Sequence, residues 1–364
     1  MTAAHDPHFA QTYADARAKF LAAAAAAGLA VQSHPHPLPG HDGEALAMDI
    51  VRDGPADAPA LLVLSSGCHG VEGFCGSGVQ SAVLADTALR RTARDAGVAI
   101  LLVHALNPWG FSHWRRVTED NVDLNRNFQD FGRPLPRNTG YDEIAHLVLP
   151  EDWPPSPAVQ QAVADYLASR GPRAWQTAVS GGQYHHPDGV FFGGQSATWS
   201  QRTLRAVLRE HGQRCRRLGW IDIHTGLGPN GVGERIFAGP DDAAMLARVR
   251  AWWGEQVTSI YDGSSTSALL SGLLFNAALQ ECAQAEYSGI ALEYGTEPMV
   301  EVTEALRADH WLARHPDKAD AAMRAAIRRR MRDVFYTDTP AWKAQIVEQA
   351  LNAMQQGIAG LAAG

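Results

Sequence analysis

The chain contains two short apolar runs separated by a segment long enough to form a helix, and this spacing limits the folds that the chain can adopt. The runs are Ala60–Ser65 and Val98–His104, and a helix is predicted between them over Gly76–Asp95. Two strands joined by a helical crossover of this length pair in parallel, which is the βαβ unit of α/β proteins. We therefore predict an α/β fold in which helices cover both faces of a sheet.

Apolar periodicity extends this pattern along most of the chain. Further strands are predicted at Ala45–Val51, Gly219–Ile223, Glu234–Ala238 and Ile290–Tyr294. Helices are predicted at Phe9–Ala27, Pro157–Ser169, Ser200–Gly212 and Ala243–Thr258, and over much of the stretch from Thr303 to the C-terminus. No repeat or low-complexity linker divides the 364 residues, so we expect one catalytic domain, 1–364, around a mixed, mostly parallel sheet.

Composition and charge narrow the class of protein. A net charge of −8 leaves no basic surplus for a nucleic-acid partner. The four cysteines form no CxxC pair, which favours free thiols in a reducing compartment. The N-terminal segment lacks a basic region followed by an apolar one, and the alanine-rich run Leu21–Val31 is too short to span a bilayer. We therefore expect a cytoplasmic protein without a membrane partner.

A histidine and a glutamate three residues apart follow the first apolar run. They are His69 and Glu72 in the segment Ser-Ser-Gly-Cys-His-Gly-Val-Glu-Gly. Imidazole and carboxylate groups are ordinary zinc ligands, and a catalytic zinc site needs three protein ligands and an open position. The neighbouring glycines allow the backbone to approach a metal closely. Alone the pattern is weak, because a histidine and a glutamate in a surface turn produce it too.

A later apolar strand also ends in a histidine followed by a small residue and a glycine. It reads Trp-Ile-Asp-Ile-His-Thr-Gly, and its His224 would be a third ligand. A histidine satisfied at a strand end gives the same pattern. Cys68 is a further candidate ligand, but a thiolate is less suited to a position where histidine and glutamate already have good spacing.

Three arginines follow the strand that ends at His104. Arg115 and Arg116 come after the segment Asn-Pro-Trp-Gly-Phe, and Arg126 follows Asn125 in the run Val-Asp-Leu-Asn-Arg-Asn-Phe. An arginine and an asparagine together can bind a carboxylate, the guanidinium in bidentate fashion. A second arginine can stabilise a developing oxyanion.

A glutamate interrupts the last predicted strand. Glu293 stands in the run Gly-Ile-Ala-Leu-Glu-Tyr-Gly-Thr-Glu-Pro, where an unpaired carboxylate is costly to bury. Burial would raise its pKa and suit it to general-base catalysis. The alternative is an outward-facing glutamate on an edge strand.

Taken in order, these motifs resemble the zinc carboxypeptidase superfamily. The runs Val-Asp-Leu-Asn-Arg-Asn-Phe and Asn-Pro-Trp-Gly-Phe are similar to digestive carboxypeptidases. The runs Asp-Leu-Asn-Arg and Gly-Ile-Ala-Leu-Glu-Tyr-Gly-Thr-Glu-Pro are equally similar to the aspartoacylase and succinylglutamate desuccinylase branch. As a whole the chain resembles most closely a bacterial branch that shares Cys-His-Gly-Val-Glu-Gly. The resemblance covers roughly residues 45–300.

The resemblance implies a role for each residue in these motifs. The metal ligands would be His69, Glu72 and His224, with one Zn²⁺ per chain and Glu293 as general base. Asp123 would orient a ligand histidine, Asn125 and Arg126 would bind the substrate carboxylate, and Arg115 or Arg116 would polarise the scissile carbonyl. Aligning on the Trp-Arg pair favours Arg115, whereas aligning on the desuccinylase pattern favours Arg116.

The chain also departs from its relatives. About a hundred residues separate Arg126 from His224, which implies an insertion around 134–200, and its first part, Pro134–Pro157, is interpreted as a surface loop. After the last predicted strand the chain ends in helices, 303–364, so the β-rich C-terminal domain of aspartoacylases is not expected.

The insertion carries a candidate substrate-binding tyrosine. Tyr184 lies in a glycine-rich loop, Gly181–Gly194, that has the flexibility to bend over a site. It is a candidate for the capping role that a mobile tyrosine has in digestive carboxypeptidases. A structural loop tyrosine is equally compatible with the sequence.

The expected activity is hydrolysis of an amide bond beside a substrate carboxylate, by a metal-activated water with Glu293 as general base. A carboxypeptidase acting on peptides and a deacylase of N-acyl amino acids or related small amides fit the motifs equally. A zinc-binding protein without turnover fits less well, because it would have no use for Glu293. The expected partner is a small-molecule or peptide substrate bearing a carboxylate; the oligomeric state is not indicated.

Overall fold

A single seven-stranded sheet organises the computed structural model, which describes residues 5–363. Its strands are β1 (Val31–Pro35), β2 (Ala47–Asp53), β3 (Ala60–Ser65), β4 (Val98–His104), β5 (Arg217–Asn230), β6 (Gly233–Phe237) and β7 (Glu286–Gly295). They lie in the order β1-β2-β4-β3-β5-β7-β6. The central strands β4, β3, β5 and β7 pair in parallel, and the pairs β1–β2, β2–β4 and β6–β7 are antiparallel. The predicted α/β fold around a mixed, mostly parallel sheet is confirmed, and its parallel pairs lie at the centre.

The βαβ unit predicted from the spacing is present, since β3 and β4 pair in parallel. Its crossover contains two helices, α2 (Gly73–Ala85) and α3 (Thr87–Asp95), where the sequence predicts one helix. They follow α1 (Tyr13–Ala26). The break lies at Asp86, whose carboxylate accepts a hydrogen bond from the amide of Leu89 at 2.9 Å. This N-cap starts a new helix.

The remaining helices of the described chain cover both faces of the sheet. They are α4 (Pro108–Ser112), α5 (Thr139–Val148), α6 (Pro157–Arg170), α7 (Pro172–Ser180), α8 (Trp199–Gly212), α9 (Ala243–Trp253), α10 (Asn276–Glu281), α11 (Met299–Arg314), α12 (Ala321–Phe335) and α13 (Pro340–Ala363). The ninth ends five residues earlier than predicted, because Gly254 takes a φ of 102°, which lies outside the helical region. None of the helices from residue 5 to 363 is long and apolar enough to cross a membrane.

The stretch Pro134–Pro157 is not the surface loop that the sequence suggested, because it contains α5. Asn138 caps this helix by accepting a hydrogen bond from the amide of Tyr141 at 2.9 Å. Tyr141, Ile144 and other apolar residues of α5 pack against α7 and belong to an apolar cluster that also includes residues of α11 and α12. The prolines on either side obscured a helix whose stability depends on this packing.

The sheet brings the candidate functional residues to one edge. Parallel strands have their carboxyl ends at the same edge of a sheet, which is where open α/β sheets bind ligands. Segments that follow β3 and β4 meet there with the end of β5 and with β7. Apolar residues fill the space between the sheet and its helices on both faces, which holds this edge in place.

Candidate functional site

A tight turn after β3 positions His69 and Glu72. The turn is a 3-10 helix over Gly70–Glu72, and both side chains are almost completely buried. Gly70 packs directly on the neighbouring backbone, since a Cβ at this position would lie 2.1 Å from the carbonyl carbon of Gly110. Glycine is therefore required for the turn to form here.

The pairing of β5 with β7 positions the other two candidate residues. His224 and Glu293 are directly opposite each other in this parallel pair. The side chains of alternate strand residues point to the same face, so Trp220, Asp222 and His224 share one face of β5. Both strands extend beyond the predicted bounds; the extension of β5 brings His224 into the sheet, whereas Glu293 lies within the strand that was predicted.

The donor atoms of His69, Glu72 and His224 converge. Nδ1 of His69 lies 2.8 Å from Oε1 of Glu72, Nδ1 of His224 lies 3.0 Å from Oε2 of Glu72, and the two Nδ1 atoms are 3.3 Å apart. Ligands of a tetrahedral zinc ion with bonds of about 2.0–2.1 Å are separated by roughly 3.3 Å. The donor set therefore fits a zinc ion in chemistry and in spacing.

The charge around these donors also favours a cation. Four carboxylates are buried in this region, and they face two buried arginines; the carboxylates are Glu72, Asp123, Asp222 and Glu293, and the arginines are Arg116 and Arg126. A divalent cation would balance this surplus of negative charge. Without one, burial and then the charge of Glu72 raise the pKa of Glu293 to about 8.

A carboxylate contacts the Nε2 atom of each imidazole ring, on the side away from the donor cluster. Asp222 lies 2.6 Å from Nε2 of His224, and Asp123 lies 3.3 Å from Nε2 of His69. Such contacts orient a ligand histidine and leave its Nδ1 free for the metal. Asp123 was predicted for this role, whereas Asp222 was not, although its position two residues before His224 places it on the same strand face.

A second group of possible donors consists of Cys68, Asp222 and His224. Burial raises the pKa of the Cys68 thiol well above its ordinary value. A neutral thiol is a weak ligand, and Asp222 already contacts the histidine and accepts a hydrogen bond from Ser65 at 2.5 Å. The set that contains His69 and Glu72 is therefore the better metal site.

The two adjacent arginines point in different directions. Arg116 lies over the donor cluster, with Nε 2.9 Å from Asp123, Nη1 3.2 Å from Glu72 and Nη2 2.7 Å from Nε2 of His69. Burial opposes its charge, but Asp123 and then Glu72 raise its pKa above the ordinary value. Arg115 instead points to α11, where Nε donates to Asp309 at 2.8 Å. Only Arg116 of the two lines the cavity at the site.

Arg126 and Asn125 also line this cavity. The Arg126 guanidinium is 2% exposed, and it donates to the carbonyl oxygens of Ser180 (2.7 Å) and Asn125 (2.9 Å). Its nearest carboxylate, Asp123, is 4.0 Å away and already binds Arg116. This cation therefore lacks a full counter-charge, and burial lowers the pKa of Arg126 in spite of the charge of Asp123.

Tyr184 lies behind Arg126 and does not line the cavity. Its hydroxyl donates to the carbonyl oxygen of Arg126 at 2.7 Å and accepts from Gln129 at 2.8 Å, and the side chain is 1% exposed. We therefore assign it to positioning Arg126, and the sequence-based role of substrate contact finds no support in this geometry.

The comparisons with known proteins establish the family and the fold. Residues 9–349 match the family described as "Protein of unknown function (DUF2817)". The chain belongs to this family. A comparison with curated proteins gave no match.

Three solved structures illustrate the likeness in fold. Thrombin activatable fibrinolysis inhibitor (TAFI) has a TM-score of 0.55 at 10% identity, over 97% of this chain and 75% of that one. Bovine TAFI in complex with tick carboxypeptidase inhibitor has a TM-score of 0.52 at 8% identity, over 98% and 99%. An aspartoacylase family protein of Mesorhizobium loti has a TM-score of 0.38 at 15% identity, over 78% and 66%. The first two confirm the fold that the motifs predicted, and the third is too distant to support an argument.

Proposed function

We propose that this DUF2817 protein is a zinc-dependent hydrolase that cleaves an amide bond beside a substrate carboxylate. The observation that carries the proposal is one cavity lined by two of the three metal donors, His69 and His224, together with a buried glutamate and a buried arginine without a full counter-charge. A peptide or small amide whose carboxylate pairs with this arginine would present its amide bond to the donor cluster.

His69, Glu72 and His224 would hold the zinc ion. When bound, zinc supplies Lewis acidity toward a carbonyl oxygen and lowers the pKa of a water molecule towards neutrality. Asp123 and Asp222 keep the two imidazoles in orientation through their Nε2 atoms. These contacts hold the ligands in place before substrate binds.

Glu293 acts as the base and then as the acid. One of its carboxylate oxygens accepts a hydrogen bond from the amide of Leu227 at 3.1 Å, which fixes the side chain, and the other makes no hydrogen bond within residues 5–363. This free oxygen takes a proton from the attacking water and delivers it to the leaving nitrogen.

Arg116, Asn125 and Arg126 bind the substrate. The Arg126 guanidinium pairs with the substrate carboxylate, and the side-chain nitrogen Nδ2 of Asn125, which makes no hydrogen bond in the described chain, donates to the same group. Arg116 stabilises the charge that develops on the carbonyl oxygen. Asn125 and Arg126 together form a carboxylate clamp, and the positioning of the substrate by this clamp contributes to the rate alongside these electrostatic effects.

A deacylase of N-acyl amino acids is the second candidate. Beyond His224, the cavity wall is formed by apolar side chains, including Leu227, Met299, Val302 and Leu306. This wall lies on the far side of the donor cluster from Trp220, so the acyl portion of a substrate would rest on it. A simple apolar acyl group fits such a wall at least as well as a peptide chain, whose amides need hydrogen-bond partners.

Turnover and metal dependence test the proposal directly. Short peptides and N-acyl amino acids should both be assayed, with and without a chelator. Hydrolysis that is lost with the chelator and restored by Zn²⁺ would support it, whereas a metal-free enzyme with full activity would contradict it. Cytoplasmic location remains a prediction.

Metal content provides a second test. We expect about one zinc per chain in the purified protein and almost none in a His69→Ala, His224→Ala double variant, because two of three ligands are removed. A His185→Ala, His186→Ala double variant is the matched control, since neither residue belongs to the donor cluster. Metal retained by the first variant and measured by elemental analysis would show that the ligands are misassigned.

Substitutions of Arg116 and Arg115 are expected to have different effects, the first on activity and the second on stability. Arg116→Ala is expected to lower kcat by about 10²–10³-fold, as for the loss of one oxyanion donor. Arg115→Ala should keep kcat within a few fold but lower the Tm, because buried Asp309 loses its partner. Steady-state kinetics and thermal unfolding of both variants decide this, and a larger kcat loss in Arg115→Ala would reverse the assignment.

A further inference from the structure

The cavity continues away from the metal donors along the sheet. Gly289, Ala291 and Glu293 lie on one face of β7, opposite Trp220, Asp222 and His224 respectively. Four residues of a strand span roughly 13 Å, and the cavity floor follows this face from Glu293 past Ala291 to Tyr287, whose side chain covers Gly289. The small side chain of Ala291 leaves space between these two ends.

Tyr287 closes the far end of this floor. A Cβ at Gly289 would lie 2.1 Å from the Tyr287 hydroxyl oxygen, so the hydroxyl rests directly over the glycine. Any larger residue at position 289 would displace the tyrosine. The Tyr287 side chain is 4% exposed and lines the cavity.

The walls of this far section are apolar. Trp220, Ile236, Ile260, Ala268 and Leu274 line it. Every charged or histidine side chain that lines the cavity in the described chain belongs instead to the site at its head: His69, Arg116, Arg126, Asp222, His224 and Glu293. A basic or acidic side chain would therefore find no counter-charge at the far end.

The Tyr287 hydroxyl is the free polar group of this section. It makes no hydrogen bond to any residue from 5 to 363, whereas the nearby Trp220 Nε1 donates to Ser65 at 2.7 Å. The hydroxyl is not one of the fully enclosed unpaired atoms of residues 5–363, so the cavity gives access to it and a ligand group can bond it in place of water. The hydroxyl can donate to or accept from such a group.

The carboxylate clamp adjoins this section. The amide of Leu274, on the pocket wall, donates to Oδ1 of Asn125 at 2.9 Å, and the amide of Phe128 donates to the carbonyl oxygen of Gly272 at 3.0 Å. The wall is therefore hydrogen-bonded to the segment that presents Arg126. A group attached next to a carboxylate bound by Arg126 would therefore have the apolar section beside it.

From this geometry we propose that the pocket selects an aromatic side chain with a hydrogen-bonding group at its tip, such as tyrosine, beside the substrate carboxylate. Tyr287 is then a specificity-determining residue that contacts that tip. The proposal rests on the proposed function, because it assigns the part of the substrate that carries the carboxylate.

The test compares amides that share one acyl group. N-acetyl derivatives of tyrosine, phenylalanine, leucine, lysine and aspartate are assayed with wild type and Tyr287→Phe. We expect wild type to favour tyrosine over phenylalanine about tenfold in kcat/KM, and this ratio to fall to about one in Tyr287→Phe. Tyr166→Phe is the matched control, since Tyr166 does not line the cavity, and it should keep the tenfold ratio.

A preference for lysine or aspartate would overturn the inference, and so would a tyrosine-to-phenylalanine ratio that Tyr287→Phe leaves unchanged. Absence of turnover on the whole series and on peptides would instead count against the proposed function. The pocket is then tested by calorimetric binding of 3-(4-hydroxyphenyl)propanoate and 3-phenylpropanoate to the zinc-loaded protein. Tighter binding of the phenol in wild type but not in Tyr287→Phe supports the inference, and equal binding in wild type refutes it.

Discussion

A Glu293→Gln variant is expected to lose about 10²–10⁴-fold in kcat while it retains its zinc. Glutamine preserves the shape of the side chain and the hydrogen bond from the Leu227 amide, but it cannot take up a proton. Its zinc content should not change, because Glu293 is not among the proposed ligands. Kinetics and elemental analysis on one preparation measure both quantities.

Glu286→Gln provides the control on the same strand. Glu286 is exposed at the start of β7, far from the donor cluster, so its substitution should leave kcat and metal content as in wild type. Full turnover in Glu293→Gln would remove Glu293 from the mechanism. Loss of zinc from that variant would instead mean that a ligand has been mistaken for a base.

An Arg126→Ala variant is expected to raise KM strongly for substrates with a free carboxylate. Removal of one partner from a buried charged pair costs about 2–5 kcal/mol, which corresponds to roughly 30-fold to several thousand-fold in affinity. The size of this loss in affinity depends on how completely water is excluded from the ion pair, and the Arg126 side chain is almost fully buried. Steady-state kinetics on one substrate series measure the effect.

Two comparisons isolate the carboxylate contact from a structural effect. The same substrates with an amidated carboxyl group should be hydrolysed slowly by wild type and by Arg126→Ala alike, because neither can form the ion pair. Arg133→Ala, at a side chain 82% exposed, should match wild type. Unchanged KM in Arg126→Ala on a substrate with a free carboxylate would exclude the assigned role.

Much of the fold was predictable because its signals are local. The apolar runs of β3 and β4 and the helical spacing between them sufficed to predict a βαβ unit, which the parallel pairing confirms. The edge strand β1 and several helices, α4, α5, α7 and α10, were missed. Edge strand β1 is only partly buried, so it lacks a strong apolar pattern, and α5 is stabilised by distant helices that a local window does not include.

The sequence by itself determined which chemical groups are present and their order along the chain. Donor residues at the ends of apolar runs were predicted to meet, since parallel strands finish at one edge of the sheet. This reasoning was enough to propose His69, Glu72, His224 and Glu293 as a group, and the structure brings them together.

Only the tertiary structure decided where the side chains outside regular strands point. Arg115 and Arg116 are neighbours in sequence and follow Trp114, whose φ is 57°, but Arg115 binds Asp309 and Arg116 binds the donor cluster. Tyr184 likewise turns behind Arg126 instead of into the cavity. Such directions depend on loop dihedral angles and on contacts with residues far away in the chain, and neither leaves a periodic pattern in the sequence.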